Sequence, residues 1–185
     1  MPRATRMDNT PAILLRKTKL SDTSLIITWL TAAHGKLKTV AKGARQPKSK
    51  FAGRLDLFFE CEISIARSRK SELHTLREAD LVEPHEGLRG DYQRVALAAY
   101  FVELIEMITE PEHAVCDLYD LFQRALRHLN EQPASLRALE HFEKELVRLQ
   151  GIAHPEVSAA VAIGRAFHKL PAARRELVAT FSQNR

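Results

Sequence analysis

Two different hydrophobic periods divide the chain. Up to about residue 84 the apolar positions recur at strand spacing. The clearest case is 59–65, where Phe59, Cys61, Ile63 and Ile65 fall on one side and Glu60, Glu62 and Ser64 on the other, the two-residue alternation of a strand. Residues 23–30 are rich in β-branched and aromatic side chains and almost continuously apolar, which suits a buried strand. Residues 13–20 mix apolar and basic side chains at strand length, 36–41 set Lys36 and Lys38 against Leu37 and Val40, and 73–81 give a weaker fifth strand before Pro84. His34-Gly35 breaks the pattern between the second and third strands and reads as a turn.

From Gly87 the period changes to that of a helix. Asp91 is a candidate N-cap for a segment carrying Val95, Ala98, Phe101, Val102, Ile105 and Ile108, closed by Pro111. A second helix carries Leu118, Leu121, Phe122, Ala125 and Leu129 and ends before Pro133. Ser135 caps a third with Leu139, Phe142, Leu146 and Leu149, ending at Gly151. Pro155 opens a fourth with Val157, Val161, Ile163 and Phe167, and Pro171 precedes a short last one with Leu177 and Phe181. The expectation is an α+β protein: a five-stranded barrel over residues 1–84, then an α-helical domain over 85–185 whose short connections imply antiparallel neighbours. An OB-fold satisfies the strand pattern, and so does an SH3-like barrel; period does not separate them.

Charge sharpens this division. Residues 1–80 hold 16 Lys and Arg against 8 Asp and Glu, whereas 81–185 hold 12 against 15. A basic N-terminal part beside a slightly acidic remainder points the first at a polyanion. No apolar run follows the first nine residues at signal-peptide length and none is long enough to span a membrane, so a cytoplasmic protein without membrane contact is expected. Cys61 and Cys116 stand too far apart for a paired ligand motif and read as two buried reduced thiols; no metal and no cofactor is expected.

The stretch that carries chemistry is 42–54, with five cations (Lys42, Arg45, Lys48, Lys50 and Arg54) and no acid. Gly43 and Gly53 permit bends, Pro47 stiffens the middle, and Phe51 offers one ring. A mobile cationic loop can follow a phosphate backbone, and an aromatic can stack on a base. Lys36 and Lys38, with Arg16 and Lys17 on the first strand, extend the patch if those strands are neighbours. The plain alternatives are a solvated surface loop and a Phe that belongs to the core. Trp29 reads as core. Glu103, Glu106 and Glu110 read as a solvated helix face. There is no phosphate-binding GxxxxGK[ST], no GxSxG and no convergent acid/base pair, so an enzyme is not expected.

Residues 41–53 (AKGARQPKSKFAG) resemble the basic segment of the RecO family almost residue for residue. So do Ser21-Asp22 before an apolar strand, His34-Gly35 before the next, 79–84 (ADLVEP) followed by Gly87-Leu88-Arg89, and Leu149-Gln150-Gly151. The resemblance covers roughly the first 150 residues. It implies an N-terminal OB-fold followed by a helical domain. It also implies a bacterial recombination mediator, associated with the nucleoid, that binds single- and double-stranded DNA and promotes annealing. Such a mediator loads a recombinase with a RecR-like partner and the single-strand-binding protein. By position the DNA-contact candidates are Lys36, Lys38, Lys42, Arg45, Lys48, Lys50 and Arg54. Many family members carry a four-cysteine zinc module after the region of Gly151–Pro155; no cysteine follows Cys116 here. An adaptor whose basic loop grips an acidic peptide tail is the alternative of another class.

Overall fold

The computed structural model describes residues 7–183; the N-terminal residues searched for a targeting signal lie largely outside these. Five strands, β1 (Met7–Lys19), β2 (Leu25–Thr31), β3 (Gly35–Ala41), β4 (Glu60–Ala66) and β5 (Leu73–Glu83), close into a barrel in the order β1-β2-β3-β5-β4. Every pairing is antiparallel except β3 with β5. That single parallel pair resolves the ambiguity left by period. It requires the chain to leave β3, cross the barrel end and hairpin β4 with β5, which is the OB arrangement and the reason for the long connection over residues 42–59.

β1 begins earlier than its hydrophobic pattern suggests. Residues 7–11 lack alternation and include Pro11, yet they pair with β4 from Met7↔Ala66 to Ile13↔Glu60, because β4 supplies the ladder whatever the side chains. The register shifts between Leu14 and Arg16, a bulge that bends the strand so that one segment serves β4 and then β2. Inside the barrel lie Ala12, Leu14, Ile27, Trp29, Leu37, Ala41, Phe51, Phe59, Cys61, Ile63, Ile65, Leu76 and Ala79. Trp29 is core, as expected, and its buried indole Nε1 donates to Thr39 Oγ1 at 2.9 Å, so no polar atom there is orphaned. Burial pushes the Cys61 thiol up to about 12, with the Asp80 charge adding to it. Cys116 departs from expectation: it is exposed, with its thiol donating to the Ala32 carbonyl.

Six helices follow among the described residues: α1 (Glu86–Arg89), α2 (Tyr92–Ile108), α3 (Cys116–Glu131), α4 (Leu136–Leu149), α5 (Ala159–Phe167) and α6 (Ala173–Gln183). Asp91 caps α2 by accepting from the N–H groups of Gln93 and Arg94. Ser135 caps α4 through Ala138 N–H. Helix α5 starts after Pro155 rather than at it, because Ser158 provides the cap through Val161 N–H. The chain divides into two compact units, residues 1–84 with 110–119 and residues 85–109 with 120–185. The helix-to-helix connection thus counts with the barrel: Glu112 N–H donates to the Lys36 carbonyl and Val115 N–H to that of Ala32.

In the helical unit α2 is buried on most sides through Leu97, Tyr100, Phe101, Leu104 and Ile105, which makes it the central helix. Phe101 stacks on Phe142 of α4 with ring centroids 3.9 Å apart. Glu143 of α4 is 1% exposed. It accepts from the Tyr100 hydroxyl and, bidentately, from Arg174 of α6 at 2.6 and 3.0 Å. Burial first, and then the Glu143 charge, push the Tyr100 phenol up, so the hydroxyl stays a donor.

Candidate nucleic-acid interface

Residues 42–54, taken from composition for a mobile loop, form instead a stack of turns closed by backbone hydrogen bonds three residues apart. Gln46 N–H donates to Gly43 O, Ser49 N–H to Gln46 O, Ala52 N–H to Ser49 O and Arg54 N–H to Phe51 O, all at 3.0–3.1 Å. Gly43 and Gly53 both sit at φ +71°, the left-handed region that lets the chain reverse at each end of the basic run. Phe51 is not a stacking platform: its ring is 3% exposed and belongs to the barrel core. Its burial anchors the turns to the barrel.

Those cations divide by partner. Lys42 and Lys48 are exposed and make no hydrogen bond or ion pair among the described residues. Arg45 is tied to the β1–β2 loop, donating to the carbonyls of Ser21 (2.9 Å) and Asp22 (3.2 Å); its charge remains available because carbonyls do not neutralise it. Lys50 donates to the Arg77 carbonyl and stands 5.2 Å from the Phe51 ring centroid. Arg54 pairs with Asp80 at 2.7 Å, which offsets its field. Lys38 is exposed on β3, opposite Thr28 of β2 and Leu73 of β5, while Lys36 is half-buried on the same face. Of the two cations expected to extend the patch from β1, Lys17 is paired with Asp56 at 2.5 Å, and Arg16 is exposed.

The β4–β5 loop brings cations that the sequence reading passed over. Arg69 and Lys70 are exposed, and their side chains likewise make no hydrogen bond or ion pair among the described residues. The Ser68 hydroxyl accepts from the N–H groups of Lys70 and Ser71 and so fixes the turn that presents them. Because β5 enters beside β3 at Leu73↔Lys38, this loop lies toward one end of β3 and residues 42–54 lie at the other. Between them the strand runs roughly 20 Å at about 3.3 Å per residue. The available signal was a pair of adjacent cations in a serine-flanked turn, overshadowed by the longer run.

The neighbouring Arg67 is engaged, binding Asp8 and Glu112. Glu112 also accepts from His74 Nε2 at 3.1 Å, while His74 Nδ1 accepts from Ser68 N–H, so His74 is the neutral Nε2–H tautomer. Burial, and next the Arg67 charge, hold the His34 imidazole below its ordinary range.

On β1, β4 and β5, Glu62, Glu78 and Asp80 line a shallow depression of about 360 Å³ with Asn9, Pro11 and Ser64. A polyanion is repelled there and drawn to β3 and its flanking loops. Among the described residues no group of three His, Cys, Asp or Glu side chains could hold a metal ion, and no helix is long and apolar enough to cross a membrane.

The family model described as Recombination protein O N terminal matches residues 7–85, and that described as Recombination protein O C terminal matches 89–173. The chain is 35% identical over 124 residues to a DNA repair protein RecO from Desulfatibacillum aliphaticivorans, covering 66% of this chain and 48% of that one. It is 30% identical over 156 residues to the protein of that name from Pelobacter propionicus, covering 84% and 63%. Against the Bifidobacterium longum (strain NCC 2705) protein it is 32% identical over 157 residues, covering 83% and 64%. The chain thus spans about half to two thirds of the length of these relatives.

Proposed function

The chain belongs to the recombination protein O (RecO) family, and from that premise we propose that it is a DNA-binding mediator of repair and recombination that acts by charge neutralisation. In this reading DNA, single- or double-stranded, crosses the outer face of β3 between two cationic loops. Its phosphates meet Lys38, Lys42, Lys48, Arg69 and Lys70, while Lys36, Arg45, Lys50 and Arg54 add to the field from the positions in which they are held. The observation that carries the reading is the set of exposed cations, on β3 and the two loops that flank it, whose side chains have no partner among the described residues.

Complementary strands repel one another, and cations that neutralise both lower that barrier, so annealing requires no bond chemistry and no cofactor. Phosphate contacts carry no sequence information, so binding is indifferent to sequence. A RecR-like mediator, the single-strand-binding protein and, through them, a recombinase are the partners that family membership suggests, in the cytoplasm at the nucleoid. They belong to the same proposal.

Fluorescence anisotropy with a labelled single-stranded oligonucleotide tests it. If about five phosphates are neutralised, log affinity falls with log salt at a slope near −3.5, about 0.7 per phosphate. Reversing charge at Lys42 and Lys48 together lowers the slope's magnitude by about 1.4 and weakens all sequences alike. Affinity that ignores salt, or a loss confined to particular sequences, refutes the proposal. Tighter binding of an acidic peptide than of DNA would favour an adaptor.

A further inference from the structure

Glu112 lies far in sequence from the cationic β4–β5 loop, yet it holds that loop at both ends. The loop runs from the end of β4 at Ala66 to the start of β5 at Leu73, with Arg69 and Lys70 at its middle. At the β4 end Arg67 binds Glu112 Oε2 at 2.8 Å, and at the β5 end the buried His74 donates from Nε2 to Glu112 Oε1 at 3.1 Å. His74 carries the grip into the loop, because its Nδ1 accepts from Ser68 N–H at 3.1 Å. The Ser68 hydroxyl in turn accepts from the N–H groups of Lys70 and Ser71, each at 3.2 Å. Asp8 also binds Arg67, but among the described residues only Glu112 binds the side chains at both ends.

The carboxylate is itself firmly placed. Glu112 N–H donates to the Lys36 carbonyl at 3.1 Å, and Val115 N–H to that of Ala32 at 3.2 Å. The His113 carbonyl passes so near Gly35 that a Cβ there would meet it at 1.8 Å, so only glycine admits this seating. Glu112 has φ +56°, a left-handed conformation that other residues hold only where their surroundings impose it, and such positions collect at functional sites. Glycine would suit that backbone better; what glutamate adds is the carboxylate.

We propose that Glu112 is a positioning residue for DNA binding, setting the β4–β5 loop so that Arg69 and Lys70 face a polynucleotide crossing β3. The inference rests on the barrel reading for the kind of ligand. It goes beyond that reading by making the surface conditional on the connection between α2 and α3, a segment outside the five strands. A loop fixed at both ends offers its two cations already ordered, whereas a released loop has to be ordered by the DNA itself, at the expense of affinity.

The test uses the full chain and holds charge constant. Glu112→Gln and Glu112→Gly remove the same negative charge, but only glutamine keeps an oxygen that can accept from Arg67 and His74. Amide exchange at Ser68, Lys70 and Ser71 rises about tenfold in Glu112→Gly and less than about threefold in Glu112→Gln. Arg69→Ala/Lys70→Ala weakens binding of a labelled single strand about tenfold in the parent and in Glu112→Gln, but less than about threefold in Glu112→Gly, the non-additivity of coupled groups. Should the glycine variant melt early, Glu112→Asn reads the same difference, since asparagine tolerates the left-handed backbone and is a methylene shorter. Equal losses in all three backgrounds overturn the inference, and so does exchange that Glu112→Gly leaves unchanged. Arg69→Ala/Lys70→Ala without effect in the parent also overturns it, by taking the loop off the DNA path. Failure of the barrel reading is seen separately, as parent binding that ignores salt or survives Lys42→Glu/Lys48→Glu.

Discussion

Replacing Phe51 with Ala separates a structural from a contact role for the one aromatic side chain in the basic segment. The ring is 3% exposed and packed with the barrel core, with Ala44 and Leu55 from the same connection packed against that cluster. Truncating a buried Phe removes its transfer free energy and leaves a cavity, together about 3–5 kcal/mol. For a unit of this size that lowers the barrel's melting midpoint on the order of 15 °C. Phe51→Leu keeps most of the volume and costs less than about 1.5 kcal/mol. Urea unfolding followed by Trp29 fluorescence reports on the barrel, since Trp29 sits in the same cluster and is the chain's one tryptophan. The companion measurement is single-strand affinity at a temperature where the variant is folded. The structure requires it to change less than threefold, because the ring faces inward. A variant with stability within about 0.5 kcal/mol of the parent but tenfold weaker binding would falsify this account and make Phe51 a base-stacking residue.

Three further outcomes follow from the geometry. Asp80→Asn frees Arg54 and removes a carboxylate from the edge of the basic surface, so single-strand affinity rises about twofold to fivefold in low salt and the salt slope steepens by about 0.7; an unchanged slope places Arg54 off the DNA path. Glu143→Ala strands Arg174 and leaves the Tyr100 hydroxyl without its acceptor. Breaking a buried pair from one side costs about 3–5 kcal/mol, measured as a loss of helical signal on urea titration, and a shift below about 1 kcal/mol contradicts the burial. The third concerns pH. His34 has its folded value held below 6.5, so the folded state binds fewer protons than the unfolded chain in the interval between the two. Stability therefore falls as the pH drops through 6.5 toward the folded value and levels off below it. Melting at pH 7.5 and 5.5 should show a smaller difference in His34→Gln than in the parent, and an equal difference removes His34 from the explanation.

Much of the fold was legible in the order of residues because it depends on local periodicity. Alternation through Phe59, Cys61, Ile63 and Ile65 can satisfy only a strand with one face inside. Asp91 and Ser135 cap the helices they precede because a short side chain with an acceptor is what the free N–H groups of a first turn need. The family resemblance was legible too, in the run from Ala41 to Gly53 and in the turn at His34-Gly35. Pairing was not. Nothing along the chain says that β3 meets β5 in parallel, and that one contact selects the OB barrel and brings Arg69 and Lys70 to the strand that carries Lys38.

Composition counted the charges of the basic segment but said nothing about their partners. Arg54 and Lys17 are answered by Asp80 and Asp56, acids 26 and 39 residues away, while Lys42 and Lys48 have no acid partner among the described residues. Summed charge also says little about the helical part, where a negative total coexists with exposed Arg137, Lys144 and Arg148 along one side of α4. The physical reason is common to these cases. Burial and helical or strand period are set by each residue's immediate neighbours in sequence, whereas an electric field is set by distances through space, and those exist only once the chain has folded.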